Sequence, residues 1–281
     1  MDPSSPGQSS NSPINGLNLD GIEPGLSAYL LKKWWQIVAA IVATIAIIVA
    51  LLRINQSPVV GLIPIIAFWL YLQSAYEGSL FKAFAKANGY NFRQSGDIGN
   101  QTGLLFSIGD NRGASEIVSG NYRQWDFLLF KYDYSSGIGQ NRGISTHTVM
   151  AVNFHTTLPA FVLRRPHKLQ LLEEEGESLT KSGYTEKVKL EGDFDKHFEV
   201  YIPPNSQVAA LSILTPDVMQ TLIALDKYEI EMTINGVLYI YCHGQINKKQ
   251  QLIDLYTILR SVIQTITPYV NRQQQLPTAQ P

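Results

Sequence analysis

The stretch WDFLLFKYDYSSGIGQNRGISTHTVMAVNFH (125–155) decides the fold of the folded part of this 281-residue chain. Side chains alternate across a strand, so Trp125, Phe127 and Leu129 share one face of 125–134, and Leu128, Phe130 and Tyr132 the other. A strand apolar on both faces is covered on both and belongs inside its sheet. Ser135 to Gly143 is rich in glycine, and His147 to His155 is again strand-like. The glycine run therefore reads as a hairpin loop, because a dinucleotide loop leads from a strand into a helix. An anion contact at Arg142 is the lesser alternative.

Working outward, further strands are expected over Leu104–Ile108, Glu116–Tyr122, Ala160–Arg164 and Val208–Leu214. Phe198, Val200 and Ile202 alternate as another, ended by Pro203 and Pro204. Glu229–Thr233 and Val237–Cys242 predict a hairpin across Asn235-Gly236. Thr215, Pro216 and Asp217 predict a helix start. Leu252, Leu255, Leu259, Val262 and Ile266 follow the spacing of a helix face, with a stop expected at Thr267-Pro268. The region 169–192 is charged and irregular. The fold class is α+β: a mainly antiparallel sheet with a few packed helices over residues 90–270.

Upstream the pattern changes. Trp34 to Leu52 is apolar except for Gln36 and Thr44. As a helix it would span roughly 28 Å, close to the hydrocarbon thickness of a bilayer. Val59 to Leu72, extendable to Ala75, is a second apolar run that holds Gly61 and Pro64. The linker 53–57 is short, so residues 34–76 read as a transmembrane helical hairpin (34–52 and 59–75), with a re-entrant second segment as the alternative. Residues 1–33 read as a disordered N-terminal tail, 77–89 as a juxtamembrane helix stopped at Asn88-Gly89, and 271–281 as a second tail. Lys32, Lys33, Lys82, Lys86 and Arg93 flank the hairpin, whereas Arg53 alone sits in its loop. The positive-inside rule then places the N-terminus and the C-terminal domain in the cytoplasm of a multi-pass cell-membrane protein.

Composition narrows the function. The chain is 45% apolar and 16% charged, with net charge −1. This argues against a basic nucleic-acid binder. The single cysteine, Cys242, permits no intramolecular disulfide and no cysteine-rich zinc site, and it reads as a small core residue.

Two stretches, DFLLFKYDYSSGIGQNRGISTHTVMAVNFHTTLPAFVLRRP (126–166) and FDKHFEVYIPPNSQVAALSILTPDVMQTLIAL (194–225), carry a resemblance. Tyr132/Tyr134, Thr148-Val149, Leu158 to Arg164 and Phe198 to Pro216 supply its motifs. Together they resemble an uncharacterised family of bacterial membrane-anchored proteins, with two N-terminal transmembrane helices and a soluble domain of unknown function. The resemblance implies anchoring and bacterial origin, and it implies no activity.

Metalloprotease, hydrolase-elbow, P-loop and EF-hand patterns are absent from the sequence. His147 and His155 share a face but lie roughly 26 Å apart in an extended strand, too far for one metal. Asp193, Asp195 and His197 read as a solvated turn. No catalytic, cofactor or metal residue is therefore assigned, and no cofactor is expected. Residues 81–168 hold ten Lys/Arg against five Asp/Glu, and residues 169–226 hold four against eleven. Lys82, Lys86, Arg164, Arg165 and Lys168 are candidates for contact with an anionic membrane surface. The expected function is a non-enzymatic binding or scaffolding domain, presented in the cytoplasm to a protein partner or a lipid headgroup. A membrane-anchored hydrolase with an unrecognised site is the alternative.

Overall fold

The computed structural model describes residues 17–19, 22, 34, 35, 38, 39, 41–43, 45, 46, 66, 68, 70, 80–136, 143–166, 179, 180, 182–190 and 192–275. The strands are β1 (Asn91–Ser95), β2 (Asp110–Tyr122), β3 (Trp125–Ser136), β4 (Gly143–Asn153), β5 (Phe161–Arg164), β6 (Glu186–Val188), β7 (Glu199–Ile202), β8 (Glu229–Met232) and β9 (Val237–His243). They form one sheet in the order β1-β2-β3-β4-β9-β8-β5-β7-β6. Every pairing between them is antiparallel. β3 lies inside this sheet, as its two apolar faces require. Ser136 pairs with Gly143, so the glycine run does connect a hairpin. The loop itself, with Arg142, lies outside the described residues.

One face of the sheet carries the main core. Trp125, Phe127 and Leu129 of β3 pack there with Leu252, Leu255, Leu259, Val262 and Ile266 of the C-terminal helix Lys249–Gln275. Val218 and Leu222 of the helix Pro216–Ala224 join them. Residues 80–88 form a further helix whose Leu80, Phe81 and Phe84 are buried in the same core. The other face buries Phe130, Tyr132, Tyr134, Val149, Tyr239 and Tyr241 under the segment 96–109.

Several expectations are corrected. Leu104–Ser107 is a 3-10 turn and not a strand. Its amides bond locally or to a side chain, Phe106 N to Gly103 O at 3.1 Å and Leu104 N to Glu231, so they do not join a ladder. The strand expected over Val208–Leu214 is the helix Gln207–Leu211 and a following turn. Val208 is 87% exposed while Ala210, Ile213 and Leu214 are buried, a spacing of three and one that suits a helix and not a strand. The C-terminal helix does not stop at Thr267-Pro268 but runs to Gln275, taking in the first part of the expected tail 271–281. Pro268 removes one backbone hydrogen bond. The continuing turn compensates by burying Val270 in the core, and the Thr267 hydroxyl donates to Ile263 O at 2.7 Å.

The N-terminal tail is also corrected in part. Leu17, Leu19 and Ile22 are buried in the main core with Leu80, Phe81 and Phe84. Asn88 clasps this strap: its Oδ1 accepts from Asn18 N at 2.6 Å and its Nδ2 donates to Asn18 O at 2.9 Å. Truncating Ile22 to Ala should cost about 2 kcal/mol or more, the usual loss for a buried aliphatic. Urea denaturation of the full chain measures it. A change within error would mean that the strap is not part of the core.

Most of the expected transmembrane hairpin lies outside the described residues. Those described within it are helical, and Trp34, Trp35, Val38, Ile41, Val42, Ile45, Ile66 and Leu70 expose large apolar side chains. Among the described residues no helix is long and apolar enough to cross a membrane.

Candidate functional site

The second face of the sheet is open beside the 3-10 turn. A cleft of about 120 Å³ lies there, lined by Leu105, Ile108, Tyr134, Ser145, His147, Arg164, Arg165, Lys227, Glu229, Tyr241 and His243. Strand register explains the convergence. His147 of β4 stands opposite His243 of β9, and Tyr241 opposite Glu229 of β8. Tyr134 of β3 stands opposite Ser145 of β4. The rings interlock: Tyr134 stacks on His147 at 5.6 Å, and His243 meets His147 edge-on at 5.1 Å. Arg164 ends β5 and Arg165 follows it, so their side chains reach the rim from the neighbouring strand.

The wall formed by Leu105 and Ile108 is fastened from beneath. Leu104 N donates to Glu231 Oε2 at 2.7 Å, and the Tyr184 hydroxyl donates to Glu231 Oε1 at 3.4 Å. Tyr239 donates to Gln101 Oε1 at 2.9 Å and accepts from Thr102 N at 3.3 Å. Arg112 donates to the carbonyls of Ser107 and Gly109 at 2.8 and 3.0 Å. Gly109 closes the turn at φ +65°, and a Cβ there would lie 2.5 Å from Ser135 O. Glycine alone lets the segment approach the sheet this closely.

Electrostatics set the character of the cleft. Arg164, Arg165 and Lys227 are opposed within the lining by one carboxylate, Glu229, which accepts from Arg165 N at 3.4 Å. Lys227 also bridges Asp254 at 2.6 Å. Burial, with the neighbouring His243 adding to it and Asp133 opposing, lowers His147 to about 4. The imidazole is therefore neutral at physiological pH. Its Nδ1 is buried with no hydrogen-bond partner among the described residues. Burial pushes Glu231 up to about 8, against the opposing effects of the Leu104 amide, the Tyr184 hydroxyl and Arg164.

His147 has a folded-state pKa below its ordinary value of 6.5, so it favours the fold above pH 6.5. That contribution is lost as pH falls through about 4. His147→Phe, which keeps a ring on Tyr134, should remove this acid destabilisation. Denaturation midpoints at pH 4.5 and 7.5 should then draw closer together in the variant than in the natural chain.

The structure distributes the expected membrane-contact residues. Lys82 and Lys86 are exposed on the helix 80–88, which packs on the main-core face. Arg164 and Arg165 line the cleft on the opposite face, and Lys168 lies outside the described residues. His155 and His197 pair instead with Asp126 and Asp226, each at 3.0 Å. Cys242 is buried, and burial pushes its thiol up to about 11. Among the described residues no group of three or more metal-ligating side chains occurs. Sequence reasoning missed the His147–His243 pair, because only the β4–β9 register joins residues so far apart.

Residues 143–252 match a family described as a protein of unknown function (DUF3137). That span includes β4, β5, β8 and β9, which contribute most of the cleft. The match agrees with the expected resemblance to an uncharacterised family and is silent on anchoring. Among solved structures, the chain is similar to the mycobacterial trehalose monomycolate transport factor A, TtfA, at 14% identity and a TM-score of 0.47, covering 68% of this chain and 94% of that one. No curated protein matches.

Proposed function

We propose that this chain is an integral membrane protein that presents a cytoplasmic, non-enzymatic binding domain, with the cleft on the open sheet face as its ligand site. The cleft carries this reading. It gathers cationic, aromatic and imidazole groups from four strands behind a wall fixed by buried hydrogen bonds, which is the form of a preformed binding site. The same groups are poorly tuned for hydrolysis. A general base works best near ambient pH, and His147 is held at about 4. Outside the cleft, in the main core, the Cys242 thiol is buried and protonated at neutral pH.

Given insertion of the apolar runs, the clasp favours two crossings over one. Asn18 precedes both apolar runs and Asn88 follows them, yet the two residues are hydrogen-bonded to each other. A chain whose flanks meet in one core crosses a bilayer an even number of times. The lysines beside the hairpin favour the cytoplasmic side, where Lys82 and Lys86 would face anionic headgroups.

Impermeant maleimide labelling of intact cells tests the topology. Asn55→Cys, in the hairpin loop, should label from outside, and Lys86→Cys only after permeabilisation. Labelling of Lys86→Cys in sealed cells would contradict the cytoplasmic placement. Release of the protein from membranes by alkaline carbonate would contradict the anchor.

A further inference from the structure

We propose that the cleft between β3, β4, β9 and the end of β5 binds the phosphate group of a phosphoester whose organic part rests on the tyrosine and leucine wall. The proposal rests on the reading of the cleft as a ligand site and gives that ligand a chemistry. Arg164 and Arg165 enter from adjacent positions at the end of β5. A guanidinium offers a planar fork of donors that matches phosphate oxygens. Lys227 adds a third cation at the rim, its charge shared with Asp254. Glu229 opposes an anion, but one of its oxygens faces the Arg165 amide.

Deeper in the cleft, His147 supplies a neutral polar edge. Its Nδ1 is sealed from solvent and has no hydrogen-bond partner among the described residues, so a ligand in the cleft meets the rest of the ring. The ring is held in place by the stack on Tyr134 and the edge contact with His243, so it is already oriented before a ligand arrives. Leu105 and Tyr241 form an apolar wall beside these polar groups. Cations on one side and rings on the other suit a charged head joined to a less polar body.

Phosphoesters reach such a site from solution or from the bilayer, and one titration separates the two sources. The full chain is reconstituted in phosphatidylcholine nanodiscs, and the imidazole NMR signals of its histidines are followed as phenyl phosphate is added. Saturable shifts at His147 and His243, with His155 and His197 unmoved, are the expected result. Arg164→Gln and Arg165→Gln should each weaken binding about tenfold or more, while the thermal midpoint stays near that of the natural chain. In nanodiscs containing phosphatidic acid, the same shifts without phenyl phosphate would identify a lipid headgroup as the source. Their appearance with phenyl phosphate alone would identify a soluble ester. Absence of shifts in both arms, equal binding by the Arg164→Gln, Arg165→Gln double variant, or stronger response to benzylamine than to phenyl phosphate would overturn the proposal. Such a failure leaves the maleimide topology untouched, so loss of the phosphate chemistry and loss of the anchor are told apart.

Discussion

Replacing Glu231 with Gln is expected to stabilise the domain by about 4 kcal/mol at pH 8 and by only about 1 kcal/mol at pH 5, given roughly 1.4 kcal/mol for each unit of pKa difference. Burial holds the folded-state pKa near 8, above the ordinary 4.5 of a glutamate. A raised carboxyl favours the fold fully below the unfolded value. That contribution is lost as pH rises from about 4.5 through about 8, because the unfolded chain ionises while the folded one must keep its proton. Glutamine needs no proton to remain neutral. Its carbonyl can accept the Leu104 amide, and its NH₂ can donate to the Tyr184 hydroxyl, which itself donates to Met232 O at 3.2 Å. Urea denaturation of both chains from pH 5 to 8.5 measures the effect. Parallel pH profiles would show that Glu231 is ionised throughout. The His147 effect has the opposite sign in acid, so the two variants should flatten opposite limbs of the stability profile.

Gly236→Ala is expected to cost about 3 kcal/mol or more, since it combines left-handed backbone strain with a clash against main chain. Gly236 has φ +75°, and a Cβ would lie 1.9 Å from Thr156 O. The carbonyl cannot simply move aside. Phe154 N donates to Gly236 O at 2.9 Å and Leu158 N to Ile234 O at 3.3 Å, fixing 154–158 against the hairpin tip. The β8–β9 hairpin closes on Thr233 and Val237 with Ile234, Asn235 and Gly236 between them, and Gly236 takes the left-handed position. This is the three-residue loop, not the two-residue turn that Asn-Gly suggests. Displacing the hairpin would also shift Tyr241 and His243 in the cleft. Thermal denaturation reads the stability, and an unchanged midpoint would contradict the packing at Thr156.

Much of the sheet was legible because its signals are local. The doubled apolar faces of β3, the alternation in β7 and the periodic leucines of the C-terminal helix each report their own burial. The cleft was less legible. Glu229 and Glu231 alternate with Ile230 and Met232, the pattern of a strand with one wet face. Glu231 is nevertheless 1% exposed, because the segment 101–107 lies across that face. Nothing in the residues around Glu231 encodes a cover that comes from more than a hundred positions away. Arg164 and Arg165 were recognisable as a basic cluster, but their neighbours in space come from β4, β8 and β9. The strap was hidden for a related reason. Leu17, Leu19 and Ile22 are too few to form a core alone, and they become apolar contacts only when Leu80, Phe81 and Phe84 are present.

The even number of crossings depends on the meeting, in one core, of the segments that flank the apolar runs 34–52 and 59–75. Spin labels at Asn18→Cys and Lys86→Cys in the chain reconstituted into bilayers measure this directly, because the natural thiol, Cys242, is buried. One narrow, short distance between the labels is expected, broadened when Asn88 is replaced by Ala. A broad distribution of long distances in the unsubstituted background would show that the flanks do not meet, and the even-crossing argument would fall with it.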